Sequence, residues 1–70
     1  MNHPTHPALY LAAQVRAARH TRGLTQVQLA DLAGVSLPTV VRIESAKRTP
    51  NFLTISRVAS ALGCRLELFE

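Results

Sequence analysis

Groups capable of covalent or acid–base chemistry are few in this chain. Asp31, Glu44, His20 and Cys64 stand singly, on different predicted elements. Catalysis needs such groups to converge in a pocket at a working spacing, so the sequence does not read as an enzyme. An unblocked Met1-Asn2-His3 terminus can chelate copper or nickel through its amine, amides and imidazole. That property is generic to any third-position His, and neither His3 nor His6 is assigned a metal or cofactor. The chemistry that remains is recognition. Arg42 carries a planar fork of donors able to meet two acceptors at once. Shortly before it come Leu37, Pro38, Thr39 and Val41, side chains suited to contact with methyl groups rather than to proton transfer.

Positioning those residues falls to a small domain. Seventy residues make one domain, and a chain of this size buries only about 60% of the surface it exposes when unfolded. Its core is therefore marginal, and a partner or second copy is expected. Eight Lys and Arg against four Asp and Glu give a formal charge of +4, the sign expected of a binder of nucleic acid or another anionic surface. A single cysteine excludes an internal disulfide and any cysteine-rich zinc module, and fits a reducing cytosol. No apolar run approaches the ~20 residues needed to span a bilayer, and "MNHPTHPALY" lacks the organisation of a signal peptide. The expected location is cytoplasmic, at the nucleoid.

Residues 1–6, with Pro4, are a poor helix and are expected to form a flexible arm. From Pro7, "PALYLAAQVRAARHTRGL" places Leu11, Val15 and Ala18 at helical spacing and ends at Gly23, a natural C-terminal cap. "LTQVQLADLAG" carries a full start signal. Thr25 and Gln28 form an S/T-x-x-E/Q capping box, with Leu24 and Leu29 at the staple positions around it. A second start follows directly, with Ser36 as cap, Val35 and Val40 as staple, and Pro38 in the first turn, where its missing N–H has no helical acceptor to lose. This third helix is expected over about 36–45. Asn51 caps a fourth, with Ile55, Val58, Ala59 and Leu62 on one face and Gly63 at its end. The tail "CRLELFE", residues 64–70, alternates with period two and reads as a strand.

Two helices joined by the short turn "AGVS" have the sequence form of a helix-turn-helix, whose second helix can enter the major groove of DNA. An ordinary helical hairpin fits the turn equally well. Ala30 and Ala33 would allow the helices to cross closely, and Gly34 would supply a positive φ. The stretch "LTQVQLADLAGVSLPTVVRIESAKRTPNFLTISRVASALG" resembles the λ-repressor-like (Cro and repressor type, XRE) helix-turn-helix family, over about four-fifths of the chain. The resemblance implies an all-α fold of four helices spanning residues 7–63. It also implies roles. Leu37, Pro38, Thr39 and Arg42 would read bases, with Val41 added by its place on the same exposed face, and Gln26 would hold a phosphate. Lys47 and Arg48 would join it on the backbone. Ser36 and Ser45, at the two ends of helix 3, are expected beside them on phosphate, with Arg16 either on phosphate or simply solvated. Arg19 and Glu44 match a family ion pair between helix 1 and the end of helix 3, often largely buried.

Geometry supports that transfer. If Val40 and Ile43 point inward, then Leu37, Pro38, Val41, Arg42 and Ser45 share one outward stripe of helix 3. Apolar side chains in the groove suit thymine methyls, and Arg42 suits guanine O6 and N7. Two positions depart from the family. Leu37 stands where many relatives carry Gln, and Ala46 where many carry Gly. A left-handed Ala46 costs roughly 1 kcal/mol relative to Gly, so helix 3 either accepts that cost or ends differently.

A lone strand leaves its N–H and C=O groups without a ladder. The expected partner is a second copy, paired antiparallel through Cys64, Arg65, Leu66, Glu67, Leu68 and Phe69 about an axis near Leu66. Such a homodimer would present two copies of helix 3 at the groove repeat of about 34 Å and read a palindrome in double-stranded DNA. Small family members with a C-terminal strand resemble HipB-like antitoxins. This resemblance implies a repressor of its own toxin–antitoxin promoter and a HipA-like toxin as protein partner. The alternatives are a stand-alone repressor and a module whose helix pair binds protein.

Overall fold

The computed structural model describes residues 7–47 and 49–66. The expected arm 1–6, Arg48, and the strand residues Glu67, Leu68 and Phe69 lie outside the described residues. Four helices follow in order: α1 Pro7–Thr21, α2 Gln26–Ala33, α3 Leu37–Glu44 and α4 Phe52–Leu62.

Each later helix begins where a side chain replaces a missing backbone acceptor. Thr25 Oγ1 accepts from the Gln28 N–H at 3.0 Å, while Gln28 Oε1 accepts from the Thr25 N–H at 2.8 Å. Both halves of the capping box are therefore formed. Ser36 Oγ accepts from the Thr39 N–H at 3.2 Å, and Asn51 Oδ1 accepts from the Thr54 N–H at 2.8 Å. Such caps are each worth roughly 0.5–2 kcal/mol.

Helix ends are closed by left-handed residues. At the end of α2, Gly34 has φ 70°, its N–H donates to Asp31 O at 3.3 Å, and the Val35 N–H donates to Ala30 O at 3.1 Å. This is the paired closure of a Schellman turn, and it aims the chain straight into the cap of α3. The same closure ends α3 around a residue with a Cβ. Ala46 has φ 59°, its N–H donates to Ile43 O at 3.1 Å, and the Lys47 N–H donates to Arg42 O at 3.2 Å. Helix 3 thus ends in a left-handed turn and accepts the strain of an alanine there.

One core joins all four helices. Leu11 and Val15 of α1, Leu29, Ala30 and Ala33 of α2, Val40 and Ile43 of α3, and Ile55, Val58 and Leu62 of α4 form a single buried cluster. A fully buried Leu such as Leu29 contributes roughly 1.5–3 kcal/mol. α3 packs on both α1 and α2, and α4 packs on α2 and α1. The small Ala30 and Ala33 let α2 sit close between its neighbours.

Among the described residues there is no β-strand. Within one chain Cys64 instead donates its N–H to Ala59 O at 3.1 Å, finishing α4. The expected alternation is nonetheless visible: Cys64 and Leu66 pack partly against the core, and Arg65 is exposed. A ladder needs a second strand, and the single chain supplies none among these residues. No helix of the described residues is long and apolar enough to cross a membrane.

The strain at Ala46 is testable. Ala46→Gly removes a left-handed penalty of about 1–2 kcal/mol, partly offset by the greater freedom of Gly in the unfolded chain. The expected net gain is about 1 kcal/mol, read as a raised urea midpoint. An unchanged or lowered midpoint would show that the turn is not strained.

Candidate nucleic-acid interface

The two faces of α3 differ in every turn. Val40, Ile43 and Glu44 are buried, whereas Leu37, Pro38, Val41, Arg42 and Ser45 are exposed and Thr39 is half-buried. Leu37 and Val41 are 39% and 42% exposed, so each keeps part of its apolar surface against the fold. The outward stripe expected from helical spacing is therefore present with all five of its residues.

Arg42 stands between two clefts. One, of about 420 Å³, is lined by Thr39, Arg42, Ile43, Thr49, Pro50, Asn51 and Thr54. The other, of about 720 Å³, is lined by Val41, Arg42, Ser45 and Lys47. Arg42 thus borders both hollows, on the outward face of α3. The polar residues at the ends of α3 are partly committed to the helix itself. Ser36 Oγ lies 2.8 Å from Thr39 Oγ1 in addition to capping the helix, and Ser45 Oγ donates to Arg42 O at 3.2 Å. Lys47 is exposed at the start of the following loop.

Behind the stripe, Glu44 gathers donors from α1 and α2. Arg19 Nε donates to Glu44 Oε2 at 2.7 Å and Arg19 Nη2 to Oε1 at 2.9 Å, a two-pronged ion pair whose side chains are 12% and 4% exposed. Arg19 Nη1 also donates to Leu24 O at 2.9 Å, pinning the turn before α2. The hydrogen bonds to Glu44 hold the Arg19 pKa above its ordinary value, against a smaller opposing effect of desolvation. Gln26 Nε2 donates to Glu44 Oε1 at 3.1 Å, and Arg16 Nη1 donates to the Glu44 backbone carbonyl.

That last contact completes the end of α3. Val41 O accepts from the Ser45 N–H, Arg42 O from the Lys47 N–H, Ile43 O from the Ala46 N–H, and Glu44 O from Arg16. All four terminal carbonyls are thus paired, and the cation sits at the favourable end of the helix dipole.

The pairing of Arg19 with Glu44 is where the resemblance placed it. The contacts of Gln26 and Arg16 with Glu44 were not foreseen, because they join residues 18 and 28 positions apart and only the crossing of helices brings them together. Arg57 is exposed and donates to Gly34 O at 3.3 Å, tying α4 to the turn before α3. Among the described residues no group of His, Cys, Asp or Glu is arranged to hold a metal ion.

Residues 15–69 match the helix-turn-helix family HTH_3. The chain is 37% identical over 49 residues to an uncharacterised HTH-type transcriptional regulator of Methanothermobacter thermautotrophicus, covering 70% of this chain and 71% of that protein. It is 40% identical over 53 residues to the immunity repressor of Bacillus phage phi105, covering 76% of this chain but only 37% of the repressor. Among solved structures it is similar to an HTH_3 family transcriptional regulator from Vibrio cholerae, with TM-score 0.80 and 30% identity, over 84% of this chain and 33% of that one. It is also similar to the restriction-modification controller C.AhdI of Aeromonas hydrophila, with TM-score 0.78 and 28% identity, over 83% of this chain and 88% of that one.

The clamp around Glu44 makes a direct prediction. Glu44→Ala leaves a largely buried Arg19 without its counter-charge and should cost about 3–5 kcal/mol, enough to unfold much of a small domain. Urea denaturation measures it, and a midpoint within the range of an exposed pair, at most about 1 kcal/mol, would rule out a structural role.

Proposed function

This chain belongs to the HTH_3 helix-turn-helix family of transcriptional regulators, and on that footing we propose that it is a repressor acting as a homodimer on a palindromic operator. The observation that carries the reading is the outward stripe of α3, apolar at Leu37, Pro38 and Val41 and cationic at Arg42, backed by a helix face that is wholly committed to the core. In the major groove Leu37 and Val41 meet thymine methyls, Thr39 and Pro38 complete the contact, and Arg42 reads guanine O6 and N7. Gln26, Lys47 and Arg48, with Ser36, Ser45 and Arg16, hold the phosphates and set the register. The likeness to a phage immunity repressor supports repression as the outcome of binding.

The homodimer rests on the alternation of Cys64, Arg65 and Leu66 and on the repeat of the groove, which two copies of α3 can match. The finer reading is an antitoxin that represses its own promoter and binds a HipA-like toxin. Phe52, Leu53 and Leu32, exposed on α4 and α2 rather than on α3, support a protein partner bound beside the DNA.

Selecting bound duplexes from a random pool tests the reading directly. A two-fold symmetric site with thymine and guanine in each half is expected. Arg42→Ala should cost about 1–3 kcal/mol on that site and relax the choice of one base pair. Lys47→Ala should weaken all duplexes alike and lower the salt slope by about 1. Base preference untouched by Arg42→Ala would sink the assignment of α3. Removal of residues 64–70 should yield monomers in the ultracentrifuge, and a surviving dimer would displace the strand from that role. Co-purification with the product of the neighbouring gene separates an antitoxin from a stand-alone repressor.

A further inference from the structure

Gln26 opens α2 and is half-buried. Its side-chain amide has two N–H groups. One is spent on Glu44 Oε1 at 3.1 Å, and among the described residues the other has no partner. The same carboxylate is itself immobilised, since Arg19 holds both of its oxygens and Arg16 holds the carbonyl of the same residue. A carboxylate only accepts hydrogen bonds, so its presence settles which end of the Gln26 amide faces inward. A long side chain that would otherwise sample many rotamers on the surface is thus tethered at its tip.

We infer that Glu44 is a positioning residue for DNA affinity: it touches no nucleic acid, but it orients Gln26 so that the second amide N–H is ready for a phosphate before DNA arrives. This rests on the reading of Gln26 as a phosphate contact. Preorganisation removes part of the entropy that ordering the side chain would cost on binding. The contact is made to the backbone and by a neutral group. It therefore strengthens every duplex alike, leaves base preference alone and adds nothing to the salt slope, which counts cationic contacts. The ion pair of α1 and α3 then has a second consequence beyond holding the fold, because whatever displaces Glu44 releases Gln26 as well.

A double-mutant cycle on the full chain separates this role from a structural one. Arg19→Met with Glu44→Met removes the pair without stranding a charge, a replacement that is often tolerated. Affinities are measured on the duplex recovered from the random pool and on an unrelated duplex of equal length. Gln26→Ala should weaken both by about threefold to tenfold, the worth of one net hydrogen bond, with the salt slope unchanged. In the double-Met background Gln26→Ala should have a much smaller effect. An equal loss in both backgrounds overturns the positioning role while leaving the phosphate contact standing. No loss in the native background overturns the phosphate contact and this inference together. Should the double-Met chain lose its helical circular dichroism, nuclear relaxation of the Gln26 side-chain amide in the free native protein decides. An order parameter close to the rigid value of about 0.85 is expected, and one below about 0.6 overturns the tether.

Discussion

A carboxylate withdrawn from water must find donors to replace its hydration, and in this fold that requirement draws three helices to one point. Glu44 sits at the last turn of α3. Its oxygens take two hydrogen bonds from Arg19 of α1 and one from Gln26 of α2, and its carbonyl takes another from Arg16 of α1. Arg19 reaches onward to Leu24 O in the turn before α2. Removing Glu44 therefore would not subtract one contact. It would leave a guanidinium nearly out of solvent, and it would free the start of α2.

A clamp of this kind matters because α3 has little else to hold it. Eight residues are too few for a stable isolated helix, and only Val40 and Ile43 of its apolar side chains are fully committed to the core. Apolar burial fixes which face turns inward but tolerates sliding along the helix axis. Directional bonds at the two ends do not. Ser36 sets the beginning, and Ser45, Ala46, Lys47 and Arg16 among them satisfy the four last carbonyls. The register of the outward residues follows from those ends, so the placement of Arg42 is inherited from backbone bonds and caps rather than from contacts of the outward side chains.

Much of this was legible in the sequence because it is local. Thr25 with Gln28, Ser36, and Asn51 announce helix starts through contacts three residues long, and Val40 with Ile43 assigns the two faces of α3 by helical period alone. Arg19 with Glu44 is not local, and it was reached through resemblance rather than from spacing. The contacts of Gln26 and Arg16 with Glu44 needed the crossing of α1, α2 and α3 to be known first. Ala46 posed a different difficulty: an alanine is disfavoured at positive φ, and only the strength of the surrounding closure, two backbone bonds and a clamped Glu44, shows why the strain is accepted. The tail posed a third, since alternation proposes a strand but a strand needs a ladder, and the described residues of one chain hold no partner for it.

The exposed apolar residues of α3 are consistent with the same economy. Leu37 and Val41 each keep more than half of their surface covered by the fold, so the apolar area they offer to water is a fraction of a side chain apiece. That is well under the patch of about 300–600 Å² that ordinary monomers carry without associating. The free protein therefore bears them at little cost. Against a groove floor the balance changes, because an apolar contact strips no hydrogen-bonded water from the protein, and the methyl of thymine is the one apolar group that a base pair presents there. A surface made only of such contacts would slide. Arg42 stands within the same stripe and requires two acceptors at a fixed separation, which is a demand that only certain base pairs meet. On the proposed reading, apolar tolerance and a single directional fork would divide the work of recognition between them.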